Sequence, residues 1–140
     1  MILLDTNVIS EQMRLQPSHV VQSWFDKITG EAVYLSSVTE AELLSGIAMM
    51  PDGKAKLLRA TKVDHILHNI FKDHILPFES KAANHYAEIF AHRKSISRPI
   101  SVLDCMIAAI AKANRCAIAT RNVADFEECR VEIIDPWAHV

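Results

Sequence analysis

The chain has 140 residues, of which 50% are hydrophobic and 23% charged, and its formal net charge is -2. Those values suit one folded domain spanning residues 1–140 with a real core, and they exclude a disordered chain. They also exclude the strongly basic field of a protein that holds nucleic acid by bulk charge alone.

The chain opens "MILLDTNVIS". "ILLD" is continuous rather than alternating, which predicts a short strand buried on both faces. "TNVISEQM" predicts a helix, interrupted at Gln16-Pro17. Ser18 is placed to cap a second helix, "HVVQSWFDKI", which ends near Gly30. "AVYLSSV" is β-branched and aromatic, a second strand. "TEAELLSGIAMM" is helical and "PDG" a turn. Lys54 to Lys72 predicts one long amphipathic helix with Leu57, Leu58, Val63, Ile66, Leu67 and Ile70 on its apolar face. "HILPF" is a third strand, "ESKAANHYAEIFAHRK" a helix, and Ser95 to Ile100 a basic loop. "SVLDCMIAAIAKANR" is an almost wholly apolar helix. "CAIAT" and "VEIID" are the fourth and fifth strands, the last closed by Pro136.

Strands thus alternate with helices, and the strands are apolar on both faces. This predicts a doubly wound α/β sheet, mostly parallel, of about five strands flanked by helices. Neither a G-x-G-x-x-G fingerprint nor a P-loop is present. Cys105, Cys116 and Cys129 are odd in number and form no C-x-x-C pair, which favours a reducing cytoplasm over a disulfide framework. The N-terminus has no basic n-region, and no window is long enough to span a membrane.

In such a sheet, ligands bind at the carboxyl ends of the strands. Asp5 ends the first strand. Glu40 and Glu42 begin the helix after the second, Asp104 lies early in the apolar helix before the fourth, and Asp125 follows the fourth. Each acid has a plain alternative as a helix cap or capping-box partner: Asp5 alone, Glu42 with Thr39, Glu40 with Ser37, Asp104 with Ser101. Asp125 has its own as a loop acid. Asp104 shares a helical face with Ile107, Ala108 and Ala111, which turns its carboxylate inward, and a buried charge needs a partner or a metal. Converging carboxylates repel unless a cation joins them. Hard oxygen ligands suit Mg²⁺ or Mn²⁺, which can activate water and stabilise charge on a phosphodiester. Thr6, Thr120 and Asn122 add groups that orient a carboxylate, a water or a phosphate.

The segments "LLDTNVISE", "SVTEAELLSGI", "ISVLDCMIAAIA", "IATRNVADFE" and "IIDPW" resemble, in order and spacing, a PIN-domain ribonuclease of the VapC/FitB toxin type. The resemblance covers essentially the whole chain. It implies a PIN-like sandwich and a metal-dependent endoribonuclease with catalytic acids Asp5, Glu42, Asp104 and Asp125. Of these, Asp5, Asp104 and Asp125 are the implied metal ligands. Thr6, Asn7, Thr120 and Asn122 are the implied support. Glu42 is preferred to Glu40 because "ELLSG" matches the family's glutamate with a glycine four residues on. Arg98 of "HRKSISRP" is carried over only weakly.

The resemblance also implies an RNA substrate, a homodimer built on the C-terminal half, and a small cognate antitoxin with a DNA-binding end. Met13, Leu44, Met49, Met50, Leu57 and Leu58 offer that partner apolar surface, about half of them being expected in the core. The histidines form no metal motif and read as surface or helix-face residues. Cys105 reads as a core residue, Trp24-Phe25 as core or interface, and Lys54, Lys56, Arg59 and Lys62 as a solvated helix face.

Three rival readings stand beside this one. A phospho-receiver module would need paired acids after strand one, an acceptor Asp after the central strand and a late Lys, and the chain has none of these in place. A catalytically dead binding module predicts gaps in the acidic set, and none is visible. A nuclease acting on DNA shares the same pocket chemistry.

Overall fold

The computed structural model describes residues 1–138. The strands are β1 (Ile2–Leu4), β2 (Val33–Ser36), β3 (Ile75–Leu76), β4 (Ala117–Ala119) and β5 (Ile133–Ile134). The helices are α1 (Thr6–Gln12), α2 (His19–Lys27), α3 (Ser37–Ala48), α4 (Lys54–His65), α5 (Ser80–Ser95), α6 (Val102–Ala113) and α7 (Val123–Phe126). All strand pairs are parallel, in the order β3-β2-β1-β4-β5. This is the doubly wound α/β sheet expected from the alternation of elements.

The central strand explains why its sequence is apolar without alternation. Ile2 and Leu4 enter one core, with Val8, Trp24, Leu35 and Leu67. Leu3 enters the other, with Ile107, Ile110, Ile118 and Phe126. Helices therefore cover both faces, and no position of β1 can be polar. The strand order reverses at β1, because the chain first builds outward through β2 and β3 and then returns to add β4 on the opposite side. The carboxyl ends of β1 and β4 form the crevice that such a reversal creates.

Three elements differ from the expectation. The helix after β2 begins at Ser37 rather than Thr39, because Ser36 is its N-cap and its side chain accepts from the Thr39 N–H at 3.1 Å. Neither Ser37 nor Thr39 is therefore the cap. The long helix from Lys54 does not run unbroken to Lys72: it widens into a π-helical turn over Ile66–Ile70, closed by the Phe71 N–H donating to the Ile66 carbonyl at 2.9 Å. The inserted residue shifts the register, so Ile66, Leu67 and Phe71 are buried while Ile70 faces solvent. Leu57 and Leu58, placed on the apolar face by periodicity, are also exposed. Lastly, α7 is a single helical turn within a segment whose sequence reads as loop. No helix among the described residues is long and apolar enough to cross a membrane.

Because β2 passes into α3 with no intervening loop, the Ser36 cap sets the direction in which α3 leaves the sheet. Ser36→Ala should lower stability by about 1 kcal/mol, the usual cost of a lost cap. The check is the urea midpoint, with the slope of the transition unchanged.

Candidate active site

Asp5 is the N-cap of α1, and the residue is only 6% exposed. Burying a carboxylate is costly without donors, and here they come from two strands' ends. The Thr6 N–H donates to Asp5 Oδ1 at 2.8 Å. Asn7 Nδ2 and the Thr120 hydroxyl donate to Oδ2 at 3.0 and 2.9 Å. Thr120 Oγ1 in turn accepts from the Asn122 N–H at 3.0 Å, and Asn7 Oδ1 accepts from the Arg121 N–H at 3.2 Å. The plain reading of Asp5 as a cap and the functional reading both hold. Its Oδ1 caps the helix while the rest of the group faces a cleft.

That cleft has a volume of about 610 Å³ and opens over the crevice between β1 and β4. Asp5, Thr6, Asn7, Glu42, Asp104 and Asn122 all line it. Glu42 is drawn in by the Thr6 hydroxyl, which donates to its Oε1 at 2.7 Å. Glu40, two residues earlier, does not line the cleft. Asp104 sits in the first turn of α6, and its backbone N–H donates to the capping Ser101 Oγ at 3.2 Å. Thr120 lies buried beneath, acting through Asp5.

Asp125 is placed differently. It is exposed on α7 and is not among the residues lining the cleft, although its charge reaches Asp104. Hence the three expected ligands Asp5, Asp104 and Asp125 do not form a cluster around one point. Among the described residues, no three His, Cys, Asp or Glu side chains stand together closely enough to hold one ion.

The segment that carries Asp125 is held by a residue that periodicity did not single out. Arg93 of α5 is 4% exposed. Its Nε donates to the Arg98 carbonyl at 2.6 Å, and its Nη1 donates to the carbonyls of Asp125 and Glu127 at 2.9 and 3.0 Å. The guanidinium thus pins the backbone that carries Asp125. Nothing in the sequence marks Arg93 out, since α5 also carries Lys81 and Lys94. Arg98 itself forms an exposed ion pair with Glu127 at 3.1 Å, outside the cleft.

The electrostatics follow from this crowding. Burial pushes the Asp5 carboxyl above its ordinary value; hydrogen bonds from Thr120 and Thr6 oppose the rise, and the charges of Asp104 and Glu42 add to it. Asp104 is also raised, first by burial and then by Asp125 and Glu42, while Ser101 and Arg93 oppose. The donor set presented to the cleft is carboxylate, hydroxyl and amide oxygen, which suits a hard divalent cation. Mg²⁺ keeps several waters and is held by one or two carboxylates, so Asp5 and Asp104 fit it without a third ligand.

Arginines share the cleft with the acids: Arg14, Arg59 and Arg121 line it. Arg59 is therefore more than a solvated helix face, since it reaches over from α4. None of the described histidines lines the cleft, and His139 lies outside the described residues. Cys105 is fully buried and its thiol is pushed up to about 11 by burial, as befits a core residue.

The sequence matches the PIN domain model over residues 2–130. It is 40% identical over 137 residues to Toxin FitB of Neisseria gonorrhoeae, an alignment covering 98% of this chain and 99% of the relative. It is 38% identical over 137 residues to VapC ribonuclease Y4jK of Sinorhizobium fredii, covering 98% of each. The solved structure of FitAB bound to an IR36 DNA fragment contains a chain that superposes with a TM-score of 0.91 at 39% identity, covering 100% of this chain and 97% of that one.

Two outcomes test this geometry. The folded chain binds the Asp104 proton more tightly than the unfolded chain does. The stability this proton contributes is complete below the unfolded value and is lost as pH rises through the raised folded one. Asp104→Asn, which keeps an uncharged group there at every pH, should therefore melt higher than the unsubstituted chain at pH 7 without divalent metal. The gain should vanish as pH falls towards the ordinary Asp value of 3.8. Arg93→Met should leave the sheet's amide protection intact while exchange in residues 122–130 speeds up by roughly tenfold or more, because the two carbonyls lose a charged donor. Hydrogen-exchange mass spectrometry reads both regions in one sample.

Proposed function

This chain belongs to the PIN-domain family, and from that premise we propose that it is a metal-dependent endoribonuclease whose activity makes it a toxin. The observation that carries the reading is the pair Asp5 and Asp104. Both face one cleft at the strand-order reversal, both are raised by burial and by neighbouring acids, and arginines flank them. Such a pair is unfavourable in a merely structural role and useful for holding a cation.

In this reading Asp5 and Asp104 hold Mg²⁺ or Mn²⁺. When bound, the ion supplies Lewis acidity and lowers the pKa of a coordinated water. The rest is done by the chain. Thr120 and Asn7 fix the rotamer of Asp5, so one carboxylate oxygen cannot turn away. The Thr6 hydroxyl occupies Glu42 Oε1 and leaves Oε2 free to take a proton from an attacking water. Asp125 adds its charge to the cation's field, and Arg93 holds the backbone that sets its distance. Asn122 orients the phosphate at the cleft wall. RNA as the substrate is supported by the ribonuclease naming of the relative from Sinorhizobium fredii.

A nuclease of this kind, acting in the cytoplasm, would damage its own cell without an inhibitor. The toxin name of the Neisseria relative and the solved FitAB complex on DNA support a small cognate antitoxin that carries the DNA-binding end. Its docking face is formed by Leu44 of α3, Met49 at the C-cap of α3, and Leu57 and Leu58 of α4, all exposed on two helices that also deliver Glu42 and Arg59 to the cleft. Met13 of the expected set is buried and Met50 half-buried. A homodimer through the C-terminal half completes the assembly.

With Mg²⁺ and a total RNA pool, the purified protein should release discrete fragments, EDTA should stop the reaction, and Ca²⁺ should support it poorly. Asp5→Asn and Asp104→Asn should abolish cleavage while circular dichroism remains unchanged. Normal cutting by either folded variant in limiting Mg²⁺ sinks the assignment, and preferential cutting of a matched DNA strand moves the substrate to DNA. Expression alone should arrest growth. Co-expression with the gene immediately upstream should restore growth and yield a co-purifying complex.

A further inference from the structure

The cleft holds one pair of groups that metal binding and hydrolysis do not use. Arg121, the residue after Thr120 at the end of β4, lies over the indole of Trp137, with its guanidinium carbon 5.0 Å from the ring centroid. Trp137 follows β5, and its backbone N–H donates to Asp135 Oδ1 at 2.9 Å, which fixes the turn that presents it. Its ring is half-buried against the core containing Ile134, while Arg121 is exposed. Both line the cleft beside Asp5, Asp104 and Asn122.

Among the described residues Arg121 forms no ion pair, although four acids line the same cleft: Asp5, Glu11, Glu42 and Asp104. Its backbone is tied down by Asn7 Oδ1, so the flat cation is delivered to a constant place. A guanidinium held over indole is a preformed platform: both groups stack with nucleobases, and the cation also draws in the phosphate of the same nucleotide.

Across the cleft the arrangement is different. Arg59 comes from α4, on the β2–β3 side of β1, whereas Arg121 and Trp137 come from the β4–β5 side. Arg59 also lines the adjoining groove with Ser10, Gly46 and Met50, where no aromatic ring is present. A strand crossing the acids therefore meets a charge without a platform on one side, and a charge with a platform on the other.

Resting on the nuclease reading above, we propose that the Arg121–Trp137 stack is a nucleobase subsite. It seats the base of the nucleotide flanking the scissile phosphate, while Arg59 holds backbone phosphate on the opposite side. The ligand class is single-stranded nucleic acid with an unpaired base at that position. Because every base presents a π-face, the subsite favours an unstacked base without reading its identity.

The test uses the intact protein and a dye-labelled ten-nucleotide single-stranded RNA whose cut position is first mapped in Mg²⁺. A set of these oligonucleotides, each carrying one abasic site, is titrated in Ca²⁺ by fluorescence anisotropy, with gels showing the strand intact. The unsubstituted protein should lose about tenfold in affinity when the nucleotide beside the cut bond is abasic, and little elsewhere. The base rests on the exposed guanidinium face, with the indole behind it, so in Arg121→Gln, which removes that face, and in Trp137→Ala, which removes its support, the penalty should fall below about twofold. Trp137→Ala removes core contact, so Arg121→Gln, a change at an exposed side chain, decides the matter if the former melts early. An abasic penalty that is absent in the unsubstituted protein, or persists in Arg121→Gln, overturns the subsite while normal cleavage leaves the nuclease reading intact. Failure to cut RNA at all overturns both. If the variants keep the abasic penalty but lose the antitoxin complex, the stack belongs to the protein partner and the subsite is overturned.

Discussion

A carboxylate buried between two strand ends is the constraint on which the rest of this molecule depends. Asp5 can be buried only because Thr6, Asn7 and Thr120 each give it a hydrogen bond. Thr120 can do so only if β4 lies directly beside β1, with Leu4 paired to Ala119. The register of the two central strands and the ionic chemistry of the cleft are thus one requirement. Slipping β4 by one residue would turn Thr120 to the other face of the sheet and leave a buried charge short of a donor.

The same constraint sets the electrostatic state of the cleft. Asp5 has donors but, among the described residues, no ion-pair partner, and Asp104 and Glu42 lie near enough to add to its unfavourable ionisation. Two of the arginines lining the cleft rest on other groups. Arg14 is paired with Glu11 at 3.3 Å, and Arg121 is stacked on Trp137. Arg93, the buried one, gives its hydrogen bonds to carbonyls. The cleft therefore presents carboxylates and guanidinium groups together, a combination that suits a small cation and a polyanion.

Packing economy explains where apolar surface is left exposed. The π-helical turn after α4 commits Ile66, Leu67 and Phe71 to the core beneath the sheet, and the preceding helix then presents Leu57 and Leu58 outward. With Leu44 and Met49 they lie on the two helices, α3 and α4, that also carry Glu42 and Arg59. Exposed apolar groups grouped on neighbouring helices suit a partner that covers the cleft, and they add nothing to the isolated fold.

The fold class, the order of the elements and most of the cleft are legible in the order of residues alone. Unbroken apolar strands alternating with helices leave few arrangements besides a parallel sheet covered on both faces. Acids that end strands or begin helices in such a sheet are brought to one edge by topology alone. Hence Asp5, Glu42 and Asp104 were legible from their positions, as were Thr6 and Thr120 from their neighbours. The π-helical turn was not legible, because which of Ile70 and Phe71 is buried depends on what packs against the helix. Arg93 was not legible either: a buried guanidinium bonded to carbonyls of residues about thirty positions away has no periodic signature. The same holds for the outward placement of Asp125 and for the stack of Arg121 on Trp137, which come from chain segments ending different strands. Local propensity and periodicity act over a turn or two of chain. Hydrogen bonds and stacking between distant segments exist only once the sheet has brought those segments together, so the tertiary structure alone decided them.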